Sequence, residues 1–180
     1  FYIPAVFEYE DDEALIIETE LPAQRHYWNF QLNDPYFNAL EYVYRLSSTN
    51  GHFAKISSDG KFRAVLALTD PGVPNWLDTA GYKQGTIYGR WYDCDSEPLP
   101  TIKRVKLADL RAHLPADTPV VTPEQRAEEL RTLAGGGAQR EAVELVRHRD
   151  DDAVHVFGQR HPGQPRRQIG RGHMGGHDKG

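Results

Sequence analysis

Two carboxylates, Asp70 and Asp78, bracket the segment Asp70-Pro71-Gly72-Val73-Pro74-Asn75-Trp76-Leu77-Asp78. Prolines and glycine fix an irregular path there, and functional groups concentrate on loops held by rigid sheets. A pair of acids at this position can act as the acid and base of glycoside hydrolysis. Each also sits beside turn residues, where aspartate commonly binds backbone amides. Asn75 suits the same capping work, and Trp76 and Leu77 suit plugging the end of a sandwich. Arg90 stands between Gly89 and Trp91. Its guanidinium fork matches a carboxylate, either on a ligand or on Asp70 or Asp78 as a structural ion pair. His52 follows Ser47 and Ser48 closely, which invites a serine–histidine reading, yet no Gly-x-Ser-x-Gly elbow is present. Cys94 lies between Asp93 and Asp95, an acidic setting that makes a poor thiolate nucleophile. No residue is assigned a catalytic role. The ligand-binding candidates are Asp70, Asn75, Trp76, Asp78, Arg90 and His52.

No metal ligand or cofactor is assigned. Gly170-Arg171-Gly172-His173-Met174-Gly175 fits the dinucleotide fingerprint in letters alone, with no strand before it and no helix after it. His155, His161, His173 and His177 read as tail composition rather than a metal site.

Aromatic residues at period two are a further signal. Tyr42 and Tyr44 alternate with Val43 and Arg45, and Tyr88 and Tyr92 alternate with Gly89 and Trp91. Such rows are sheet core or a stacking platform for sugars. A sandwich buries one face of each sheet, so an aromatic outer face needs a partner.

These residues must be positioned by the elements around them. The chain has 180 residues, 39% hydrophobic and 26% charged, with a net charge of −5. All aromatics except Phe157 lie at or before Tyr92. A segment without large apolar side chains cannot offset its ordering entropy. The division is therefore 1–106 as a β-sandwich core, 107–149 as a helical extension, and 150–180 as a disordered tail rich in Gly, His and Arg. Strands are expected at Ala14–Leu21, His26–Asn33, Leu40–Leu46, His52–Ile56, Lys61–Thr69, Thr86–Tyr92 and Thr101–Lys106. A helix over Tyr36–Tyr44 competes with the third of these. Asn50-Gly51 predicts a type I′ hairpin turn with positive φ at Gly51, and Ser58-Asp59-Gly60 a second turn. Leu107, Leu110 and Leu114 share a helical face. Thr122-Pro123-Glu124-Gln125 predicts a capped helix start, and Ala138–Arg149 a further helix after the Gly135–Gly137 run. The fold class is mainly β: an antiparallel, jelly-roll-like sandwich with short C-terminal helices.

Tyr27-Trp28, the Asp70–Asp78 segment continuing through Thr79-Ala80-Gly81, and Gly89-Arg90-Trp91 together resemble a bacterial family, domain of unknown function 1214. The likeness covers about residues 12–95, and the helical stretch to Arg149 resembles the tails of actinobacterial members. The resemblance implies a jelly-roll-like sandwich, often accompanied by domain of unknown function 1254. It implies no activity and no catalytic residues.

The chain starts at Phe1 and its only methionine is Met174. We expect protein upstream of residue 1, where a signal peptide would go unseen; the cytoplasm is otherwise the favoured compartment. The acidic balance argues against nucleic acid, and no apolar run reaches a membrane span. The expected function is a module binding a small molecule, a glycan or a partner, including an upstream domain or a second copy. A hydrolase of envelope or polymeric substrates and a structural domain of a larger protein are the alternatives.

Overall fold

The structure, a computed structural model, describes residues 1–135. They belong to one compact unit that begins at Phe1. The expected helix over Ala138–Arg149 and the tail 150–180 lie outside the described residues.

Eight strands form the unit: β1 (Tyr2–Glu8), β2 (Glu13–Thr19), β3 (Arg25–Asn33), β4 (Ser48–Asn50), β5 (Phe62–Ala67), β6 (Trp76–Asp78), β7 (Gln84–Cys94) and β8 (Thr101–Lys106). They make two four-stranded sheets, ordered β1-β7-β3-β4 and β6-β5-β2-β8. Alternation builds the interface between them. Trp28, Phe30 and Leu32 of β3 point inward, as do Phe62, Ala64 and Leu66 of β5 and Ile87 and Trp91 of β7. Trp28 meets Phe62 edge-on at 4.8 Å between ring centroids, and Phe30 stacks on Phe62 at 5.4 Å.

The second sheet is buried on both faces, so β2 and β5 read as nearly continuous apolar runs. Its outer face carries Ala14, Ile16, Val65, Ala67 and Val105, with Val73 and Leu110 packed on them. Leu110 comes from a 3-10 helix, Leu107–His113. Helix α1 follows from residue 123 and continues to the end of the described residues. Its start is the capping box expected: Gln125 N–H donates to Thr122 Oγ1 at 3.3 Å, and Thr122 N–H donates to Gln125 Oε1 at 2.9 Å.

The structure corrects four expectations. Neither strand nor helix forms at Leu40–Leu46. The Glu41 carboxylate accepts the amides of Val43 and Tyr44, and Ser47 Oγ donates to Glu41 O at 2.6 Å, so local side-chain bonds replace a ladder. Second, Asn50-Gly51 is no hairpin turn. β4 pairs with β3, Gly51 is not among the residues at positive φ, and Asn50 Oδ1 accepts the amides of His52 and Phe53. A glycine stands there because a Cβ would lie 2.6 Å from Trp28 Nε1. The hairpin at Ser58-Asp59-Gly60 does form, closed by an Ile56–Phe62 bridge, with Gly60 at φ 83°. Third, the Asp70–Asp78 segment contains β6, which runs parallel to β5; the other strand pairs are antiparallel. Fourth, the strand expected at His52–Ile56 does not form: Asn50 O accepts the amides of Phe53 and Ala54 in a turn, and Ile56 alone bridges, to Phe62.

Candidate functional site

Asn75 organises one end of the second sheet. Its backbone sits in the left-handed region, φ 53°, which asparagine tolerates. Its Oδ1 accepts Lys55 N–H at 2.8 Å, and its Nδ2 donates to Lys55 O and Arg63 O, both at 2.7 Å. This sets the 52–58 segment beside β5. Trp76, next along, donates from Nε1 to Ala67 O at 3.0 Å and lies beneath the Arg126 guanidinium, 5.5 Å from the ring centroid.

Arg126 is the buried cation that the sequence analysis missed. Its residue exposure is 5%. Nε donates to Asp70 Oδ2 at 2.9 Å, Nη2 to Asp70 Oδ1 at 3.1 Å and to Val73 O at 2.7 Å, and Nη1 to the Glu129 carboxylate. On the far side of the loop, Arg111 donates to Gly72 O and Thr118 O. These bonds leave α1 beside the sheet with a groove of about 900 Å³ between them. Its walls are chiefly apolar, including Ile56, Val65, Val73, Trp76, Val121 and Leu133, while the exposed His52, Lys55 and Glu128 and the buried Arg126 also line it.

Three sequence candidates, His52, Asn75 and Trp76, therefore line one groove. The two aspartates do not. Asp70 is clasped by Arg126, and it also accepts Gly72 N–H at 2.9 Å. Asp78 receives Arg45 Nη1 at 2.9 Å and the Ala80 amide at 2.8 Å. Nearby, burial pushes the Tyr9 phenol up, against the opposing hydrogen bond with Thr79 and with help from the Asp78 charge. Each carboxylate thus has its own arginine, and neither arginine is Arg90.

Arg90 lies on the other sheet. On β7, Gly89 and Trp91 point into the core, so Arg90 points outward from the first sheet. Its guanidinium carbon stands 5.6, 5.5 and 5.9 Å from the ring centroids of Tyr2, Tyr27 and Tyr92. The ion pair with Asp70 or Asp78 fails because Asp78 lies on β6 of the second sheet and Asp70 on the loop that joins β5 to β6. Ser47 is buried with its hydroxyl bonded to backbone, so it makes no nucleophile with the exposed His52. Cys94 is half-buried, its Sγ against Tyr27 O and Tyr92 O.

A signal for Arg126 exists in the sequence. Arg126, Leu130 and Leu133 share one face of the capped helix, an arginine at a position patterned for packing. Among the described residues, no group of three or more His, Cys, Asp or Glu is placed to hold a metal ion, and no helix is long and apolar enough to cross a membrane.

No protein-family model and no curated protein matches the chain. Among solved structures, it is similar to an uncharacterised protein from Burkholderia cenocepacia, with 37% identity and a TM-score of 0.58 over 60% of this chain and 30% of that one. It is also similar to a protein from Vibrio parahaemolyticus, with 18% identity and a TM-score of 0.47 over 58% of this chain and 30% of that one. The chain thus spans 30% of the length of each of these structures, and the Burkholderia likeness accords with its being a β-rich domain.

Proposed function

We propose that the chain is a binding module whose groove takes a small, largely apolar molecule. The groove itself carries this reading: about 900 Å³, walled by aliphatic side chains and Trp76, falls in the size range of small-molecule sites. Its lining also includes His52, Lys55, Asn75 and Glu128, which suits a ligand with one polar end. Hydrolysis is the weaker reading. The two carboxylates that would serve as acid and base are each tied to a separate arginine and lie outside the groove lining. Membership of the domain of unknown function 1214 family is part of the proposal. The residues that carry that resemblance have defined places: Asn75 bridges three segments, and Gly89 admits Phe30, since a Cβ would meet its ring at 2.8 Å.

Titration with 1-anilinonaphthalene-8-sulfonate, followed by dye and tryptophan fluorescence, tests the reading. Saturable binding is expected on the folded protein. Val120, exposed at 67% and on the groove wall, offers a blocking site. Val120→Trp should weaken the dye about tenfold while leaving the melting temperature unchanged. Binding that never saturates, or that ignores Val120→Trp, refutes the groove as the site.

A further inference from the structure

The outer face of the first sheet carries a cluster of aromatic and polar side chains around Arg90, apart from the groove lining. The register places Arg90 directly across from Tyr2 on β1 and from Asn29 on β3, and Tyr27 across from Tyr92. Tyr2 and Tyr92 keep 53% and 40% of their surface open to solvent. Tyr88 extends the row, 5.3 Å from Tyr2, and Phe37 meets it edge-on at 5.4 Å.

Rings lie close about the Arg90 guanidinium, and its in-plane N–H groups are the donors with which arginine grips a carboxylate in two-toothed fashion. Among the described residues, no carboxylate forms an ion pair with Arg90. Asn29 Oδ1, beside it, is covered and has no hydrogen-bond partner there. An unpaired buried polar atom calls for an explanation, and this one lies across the ladder from a cation that stands against tyrosine rings. The Asn29 amide nitrogen and the Gln31 amide oxygen on β3 add neutral groups to this face, suited to hydroxyl groups, since Asn29 Oδ1 is covered and Gln31 Nε2 donates to Asn33 Oδ1. Exposed tyrosine rings, negative on their faces, suit the polarised C–H face of a pyranose.

The geometry points to a sugar acid as the ligand of this face: a pyranose carrying a carboxylate, its anion on Arg90 and its ring on Tyr2 or Tyr92. A neutral sugar lacks the anion. An aromatic acid lacks the hydroxyls that the amides would meet.

Nuclear magnetic resonance titration of the full chain with glucuronate, glucose and benzoate, at low salt, tests the assignment. Glucuronate should shift amides of β3 and β7 saturably, about tenfold more tightly than glucose or benzoate. Arg90→Met should weaken glucuronate by about the same factor while the protein stays folded, its melting temperature lowered by a few degrees at most. Should Arg90→Met fold poorly, Arg90→Lys keeps the charge without the fork and should also weaken binding. Val120→Trp, in the groove, should leave glucuronate unaffected, so the two sites succeed or fail separately. Equal binding of glucose or benzoate, shifts confined to the groove, or folded Arg90 variants that bind normally would each overturn the proposal.

Discussion

Arg126 holds Asp70 from 56 positions away through two hydrogen bonds, Nε to Oδ2 at 2.9 Å and Nη2 to Oδ1 at 3.1 Å. The same guanidinium donates to Val73 O and lies over Trp76. One side chain thereby fastens α1 to the loop that precedes β6.

Arg126→Met should destabilise the domain by about 3 kcal/mol, the low end for removing one partner of a buried pair. The low end applies because the Asp70 side chain keeps 30% exposure and can rehydrate when left alone. Asp70→Asn should cost less, since the amide oxygen still accepts one of the two bonds. Urea unfolding measures both. A smaller loss from Arg126→Met than from Asp70→Asn would contradict the clasp.

Arg90 should behave in the opposite way. Its contacts within the described residues are with tyrosine rings, each worth about 0.5–1 kcal/mol where exposed. Met keeps an apolar chain against the same rings, so Arg90→Met should cost about 1 kcal/mol or less. A loss as large as that of Arg126→Met would reveal a buried ionic role that the geometry does not contain.

The contrast between these arginines shows what the sequence could convey. The β3 alternation and the Thr122–Gln125 capping box were legible because they depend on neighbours a few residues apart. The strand expected at Leu40–Leu46 has the right alternation, but the Glu41 carboxylate captures its amides, and pattern alone carries no sign of that competition. Asn75 and Trp76 stood out as candidates because their loop is marked by proline and glycine, and both line the groove. The partner of Asp70 was not legible. It depends on which sheet each segment joins, and on a helix that composition presents as an appendage rather than a wall of the groove.

Two glycines separate crowding from conformation. Gly85 lies on β7, where a Cβ would fall 2.3 Å from the Asn33 carbonyl oxygen and 2.8 Å from Phe7 Cζ. The nearer atom is backbone and cannot swing away. Gly60, at φ 83°, has open space around it. Gly60→Ala should cost about 1–2 kcal/mol, the penalty of a left-handed alanine. Gly85→Ala should cost about 3 kcal/mol or more, the upper range of overpacking, because the sheet must shift. Equilibrium unfolding of the two variants side by side tests the order, and a reversed order would show that β7 pairs differently with β3.

The last expectation concerns acid. Asp59 sits at the tip of the hairpin preceding β5, where Arg63 donates from Nη1 to Oδ1 at 2.9 Å and from Nη2 to Oδ2 at 2.7 Å. Lys61 N–H adds a bond to Oδ1 at 3.1 Å. The Arg63 hydrogen bonds, then the Lys61 amide, hold the carboxyl down from the usual 3.8 to about 2. A carboxyl depressed in the folded state binds its proton more readily when unfolded. Its contribution to stability is therefore fully present above the usual value and disappears as the pH falls through about 2. Glu18 shares Arg63 and adds to the same trend: burial raises its carboxyl, but the bonds from Arg63 and Lys61 outweigh burial and lower it. Urea midpoints measured from neutral pH down to about 2 should fall across this window. Asp59→Asn should flatten part of that fall, and Asp59→Asn with Glu18→Gln more of it. A wild-type profile unchanged by both substitutions would mean that the hairpin tip is open in solution and that Arg63 is not shared between the two acids.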